Sequence, residues 1–132
     1  MSNDAYVSTD ENVCGTVTSF SKLFFHSFDS KRGALIQMFT LDNPTLVFNG
    51  EPYQGYDNIK EFLHNHPVTD HSLNLFDAHK VDYDVGYEDP IHLVCNGRVQ
   101  SGAVIKPFTS NFLLIKDAGL YRAKSVQMRY LY

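Results

Sequence analysis

The sequence predicts one α+β domain, with helices first and a meander of long strands wrapped round them afterwards. Three observations carry this. Apolar residues in the first half recur at helical spacing, those in the second half alternate with period two, and turn residues divide the alternating runs. At 132 residues the chain is long enough for one domain with a real core. Residues 1–7 are polar and expected to fray, leaving 8–132 as the domain.

Ser8-Thr9-Asp10-Glu11 reads as a capping box that opens the first helix. Val13, Val17, Phe20, Phe24 and Phe28 then form one stripe, widened by Leu23 and Phe25. Asp29 can cap a second, shorter helix carrying Leu35, Ile36, Met38 and Phe39. Asn43-Pro44 forces an extended exit into a short strand, Thr45-Leu46-Val47-Phe48, and Asn49-Gly50 is a strong turn signal. A third helix is predicted from Asp57, with Ile59, Phe62 and Leu63 on one face and an end before Pro67.

From residue 71 the pattern is extended. Residues 71–82 put Leu73, Leu75 and Val81 in one phase, shared by Asp77 and His79. In residues 91–100, Ile91, Leu93, Cys95 and Val99 point one way, and His92, Val94, Asn96, Arg98 and Gln100 the other. Residues 107–116 hold Phe108, Phe112 and Leu114 in phase. Residues 121–132 set Val126, Met128, Tyr130 and Tyr132 against Ser125, Gln127, Arg129 and Leu131. The second phase of the sheet is polar without heavy charge, the composition of a face that a partner covers.

Fifteen acids against eleven bases give a net charge of −4, a poor footprint for nucleic acid, so any tie to RNA is expected to be indirect. No apolar run reaches the roughly 20 residues of a membrane span, and no secretory leader opens the chain. Cys14 and Cys95 lack CxxC spacing and read as buried reduced thiols. His64, His66 and His71 match no usual zinc framework and read as solvated helix-end and loop residues, so neither metal nor cofactor is expected.

Several segments resemble, in order and spacing, the nuclear transport factor 2-like family. Ser19-Phe20 through Phe28-Asp29 resembles its opening helix. Lys31-Arg32-Gly33-Ala34-Leu35, Thr45 through Gly50 and Tyr53-Gln54-Gly55 resemble its second helix, first strand and the Gly opening its third helix. Pro107 through Leu114 is similar to its long penultimate strand, and Met128-Arg129-Tyr130 to the end of its last. The resemblance runs from about residue 14 to the end. It implies a cone: three helices on a strongly curved, mostly antiparallel sheet.

Within that family the chain looks most like the small subunit of the messenger-RNA export receptor. That branch implies a heterodimer formed sheet face to sheet face with the large receptor subunit. It also implies contact with the Phe-Gly repeats of nuclear pore proteins through the heterodimer, and residence in nucleus and cytoplasm. Arg129 matches the Arg that an acid of the large subunit holds. Gln127, Leu131, Val94, Asn96, Arg98, Thr109, Asn111 and Leu113 share its phase and are the further interface candidates. The homodimeric import carrier for GDP-bound Ran is an alternative. Asn49 and Ser101-Gly102-Ala103-Val104 stand where that type has acids, so a lysine would meet no carboxylate. A small-molecule isomerase or dehydratase of the same fold is the other alternative; it needs Asp77, His79 and Tyr83 turned into the cone. No catalytic residue is expected on the preferred reading.

Overall fold

The computed structural model describes residues 4–81, 86, 87 and 89–131, with side chains from Val13 onward, Cys14 excepted. Helix α1 runs Asp4–Ser30. It starts ahead of the expected cap, so Ser8 to Glu11 lie inside the helix; Asp4-Ala5-Tyr6-Val7 contains no Gly or Pro to stop it. Of the stripe, Val13, Val17, Phe20, Phe24 and Phe28 are all buried. Phe25 and Leu23 flank that stripe on opposite sides. Only the Phe25 side is covered, by Phe108 and Phe112, while Leu23 stays 54% exposed. No helix among the described residues is long and apolar enough to cross a membrane.

The second helix is shorter than expected: α2 spans Arg32–Leu35 and runs into a single 3-10 turn, Ile36–Met38. Asp29 remains in α1 and does not cap α2; its carboxylate accepts from Thr69 and His71 instead. Strand β1 is Thr45–Phe48. Asn49 and Gly50 follow with φ 50° and 86°, the pair of positive angles that a tight hairpin turn requires. The chain therefore returns as β2, Glu51–Gln54, a strand the sequence pattern hides because Pro52 and polar neighbours break its alternation. β2 lies at the sheet edge, where a missing N–H is tolerated. Helix α3 spans Tyr56–Asn65 and buries Ile59 and Leu63.

Four long strands complete the sheet: β3 Asp70–Lys80, β4 Ile91–Ser101, β5 Val104–Asp117 and β6 Leu120–Tyr130. The order is β2-β1-β6-β5-β4-β3, antiparallel throughout except for the β1–β6 pair. The sheet curls round the helices. Phe24 is the hub between layers, meeting Phe112 edge-on at a centroid distance of 4.9 Å and touching Phe20, Phe25, Phe28 and Phe39. Burying each such ring stabilises the fold by about 1.5–3 kcal/mol, with about 0.5–1.5 more from favourable ring geometry. Cys95 is buried and free, its thiol pushed up to about 12 by burial; the side chain of Cys14 lies outside the described ones.

One irregularity decides which way β3 faces. Leu73 pairs with Gly97 and Leu75 with Asn96, so Asn74 is an extra residue and a β-bulge. Before it, Leu73 packs on the core. After it the phase reverses: Leu75 turns out, and Phe76 and Ala78 pack on the core. Asp77 and His79 therefore stand exposed on the outer face, not inside the cone as the unbroken alternation predicted. Tyr83, the third member of that set, lies outside the described residues.

Candidate partner-binding face

The nine interface candidates come from three adjacent strands and the residue that follows β6. The register sorts the strand residues into rows. Asn96 pairs with Thr109 and Thr109 with Arg129; Val94 pairs with Asn111 and Asn111 with Gln127. Leu113 pairs with His92 and Ser125, and Arg98 with Pro107. Leu131 sits one residue beyond β6, its N–H donating to the Pro107 carbonyl at 2.7 Å. Because β4 and β6 bury the alternate positions Leu93, Cys95, Val126 and Met128, this whole set faces away from the helices. All nine are half-buried or exposed. Among the described residues, neither Arg98 nor Arg129 has an ion-pair partner.

The end of β6 that carries Arg129 is tied down on both sides. Asn49 Oδ1 accepts the Tyr130 N–H at 2.8 Å, and the Asn49 N–H donates to Met128 at 2.9 Å. The Arg129 guanidinium lies against this turn, its Nη2 at ordinary contact distance, 3.7 Å, from where a Gly50 Cβ would stand. Beneath, the Tyr130 hydroxyl lies 2.9 Å from His71 Nε2, and His71 Nδ1 lies 2.6 Å from Asp29 Oδ1. The set is complete when Nδ1–H donates to the carboxylate and Nε2 accepts from the phenol. Asp29 also accepts from the His71 backbone N–H at 2.7 Å and the Thr69 hydroxyl at 2.9 Å.

His71 is thus not a solvated loop residue. Its side chain is wholly buried, ringed by Phe25, Phe28, Phe108 and Tyr130, and both its nitrogens are engaged. The pair Asp29–His71 has the composition of an acid–base dyad, but the ring has no face or nitrogen open to a substrate. Sequence reasoning missed it because the partners stand 42 and 59 residues from one another and only tertiary packing joins them. Among the described residues no group of three His, Cys, Asp or Glu side chains is placed to hold a metal ion.

Arg32, singled out by resemblance, closes two helices. Its Nη1 donates to the Leu63 and His66 carbonyls at 2.8 Å, its Nη2 to Pro67 at 2.7 Å, and its Nε to Phe28. The Phe28 and Leu63 carbonyls lie in the last turns of α1 and α3 and His66 caps α3, groups that a helix end leaves without internal partners, while Pro67 opens the segment beyond. His66 lies against Phe28, Phe48, Phe62 and Tyr130, half-buried, and not solvated as expected; His64 alone of the three is exposed. Burial, with the charges of Arg32 and His71 adding to it, lowers the His66 pKa to about 4. The folded value lies below the unfolded 6.5, so the neutral ring stabilises the fold above pH 6.5 and that contribution drains away as pH falls towards 4. Discounted for half exposure, it amounts to about 1–2 kcal/mol. His66→Phe should flatten the stability profile between those two pH values, measured by urea unfolding; an unchanged slope would assign the effect elsewhere.

Comparison with known proteins agrees with this architecture. The model of the nuclear transport factor 2 (NTF2) domain matches residues 16–130. An NTF2-related export protein of Caenorhabditis elegans is 30% identical over 125 residues, covering 92% of this chain and 90% of that protein. The human NTF2-related export protein 2 is 26% identical over 106 residues, covering 79% and 74%. The solved Mtr2–Mex67 M domain complex of C. albicans contains a chain of the same fold, with TM-score 0.69 and 13% identity over 89% of this chain and 94% of that one. The sheet order, the helix stripe and the matched span agree, and the chain belongs to the nuclear transport factor 2 domain family.

Proposed function

We propose that the chain is a non-enzymatic small subunit that pairs, through the outer face of its sheet, with a larger export receptor bearing a domain of the same family. In that role it supports export of messenger RNA from the nucleus, with pore Phe-Gly repeats and RNA engaged through the heterodimer. The observation that carries this reading is Arg129: a guanidinium without an ion-pair partner among the described residues, on a tethered strand end and in a row of uncharged polar residues. A planar fork of this kind suits a carboxylate presented by a facing sheet. The names of the relatives, which are export proteins, and the neighbour solved as Mtr2 with Mex67 M domain support the same direction. The cone enzyme loses its acid–base set, since Asp77 and His79 face outward and His71 is sealed.

The test is to immunopurify the tagged chain from native lysate and identify stoichiometric partners by mass spectrometry. One large partner with its own domain of this family is expected. Arg129→Asp should remove it, weakening binding at least 100-fold, because two like charges then meet in a desolvated contact. The thermal unfolding midpoint should stay within a few degrees, as Arg129 is exposed. Ran alone, or only further copies of the chain, would overturn the reading.

A further inference from the structure

We infer that the partner-binding face extends across β4 onto the edge strand β3, and that Leu75 is its apolar anchor, received by an apolar side-chain cluster on the partner's sheet. The inference rests on the proposed pairing and adds a contact that none of the nine candidates includes.

Leu75 is 63% exposed, on a strand whose next residue packs against the core. It is outside because Asn74 is bulged; without the extra residue it would point inward. The bulge is built into the neighbouring strand as well. A Cβ on Gly97 would lie 2.0 Å from the Ser72 carbonyl oxygen, so β4 carries a glycine where β3 presses closest. Two strands are thus adapted to one local distortion, and its product is a large apolar side chain turned to the outer face. Bulges commonly re-aim a side chain in this way.

Position supplies the occupant. Leu75, Asn96, Thr109 and Arg129 form one unbroken row across four strands. At about 4.8 Å between strands the row is about 14 Å long. The nine candidates cover β4 to β6 alone, a strip about 10 Å wide and about 20 Å long. A stable complex buries about 800 Å² on each side, so a partner docked on Arg129 must reach further. Towards β3 it meets Leu75 and, at the start of β5, Ile105, which is 61% exposed and lies on the same face opposite Gln100. Towards β1 and β2 the face carries the half-buried Val47 and the edge Pro52 beside the polar Thr45 and Gln54, with no large exposed apolar side chain among the described residues there. Leu75 and Ile105 are the most exposed large apolar side chains of the face, ahead of Leu131 at 38%, and Leu75 stands between Arg98 and Asp77, which suits a partner with an apolar centre and a polar rim.

The test uses the full chain and the purified family domain of the host's large export receptor, by calorimetric titration. Leu75→Glu is expected to weaken binding at least 30-fold with an unchanged unfolding midpoint. Leu120→Glu, equally exposed but at the first residue of β6, far from Leu75 and next to the β5–β6 turn, should bind as the unaltered chain does. If Leu75→Glu stays within threefold of native affinity while Arg129→Asp abolishes binding, the face stops short of β3 and this inference fails alone. If Arg129→Asp also binds normally, or the unaltered chain does not bind, the pairing itself fails. If Leu75→Glu instead converts a dimer of the chain into a monomer in sedimentation and leaves partner affinity intact, Leu75 serves a contact between copies, which overturns the proposal. Equal loss in Leu120→Glu would overturn it as well.

Discussion

His71→Phe is expected to lower the stability of the domain by about 3 kcal/mol, or roughly 10 °C in the unfolding midpoint of a chain this size. The replacement isolates hydrogen bonding from volume, because the ring it removes already sits among Phe25, Phe28, Phe108 and Tyr130 and a phenyl group fills much the same space. What goes is the link between Asp29 and Tyr130. The carboxylate keeps its bonds from the backbone N–H of residue 71 and from Thr69 but loses its shortest partner, and the Tyr130 hydroxyl is left without an acceptor in a site whose burial raises its pKa. Unpaired buried polar groups cost about 1–3 kcal/mol each, more when charged. Tyr130→Phe removes only the distal bond and should cost about 1 kcal/mol. Chemical unfolding of both variants settles the ranking: a loss below about 1 kcal/mol for His71→Phe would mean that ring packing alone holds this corner.

The same corner shows where sequence reading stops. The helix stripe, β1, the Asn49-Gly50 turn and the phases of β4 to β6 were legible because each is written in neighbouring residues with a fixed period. The outer-face candidates follow from those phases, and the register brings them into rows. The Asp29–His71–Tyr130 set has no local signature: a helix end, a strand start and a strand end meet only once the sheet has curled. The capping role assigned to Asp29 is locally reasonable for an Asp that precedes a helical segment, yet a buried imidazole competes for the carboxylate and takes it. In β3 the apolar residues Leu73 and Leu75 suggested unbroken alternation, and one extra residue reversed everything after it, carrying Asp77 and His79 outward with Leu75.

A signal for that bulge does exist, in the facing strand and not in β3, and it supports the remaining large prediction. Gly97 falls in the buried phase of β4 between Cys95 and Val99, where a strand interior normally carries a side chain. Gly97→Ala puts a methyl group 2.0 Å from the Ser72 carbonyl oxygen and 3.0 Å from the Phe108 ring. The first contact is with backbone and cannot be relieved by a rotamer change, so β3 must move away from β4 or give up the bulge. Moving away breaks ladder bonds on both sides of Leu73; giving up the bulge drives Leu75 into the core and Phe76 into solvent. Either route should cost about 3 kcal/mol or more, against the roughly 0.5–1 kcal/mol that Ala for Gly usually gains in a strand. The two routes differ in what they do to the face. If β3 shifts as a unit, amide exchange should rise along Asp70–Lys80 while Leu75 stays exposed. If the bulge is lost, the Leu75 methyl signals should move to core-like shifts, and binding should fall as in Leu75→Glu. A Gly97→Ala variant as stable as the unaltered chain would show that the close approach of Ser72 is not a constraint on β3, and the bulge would then need another cause.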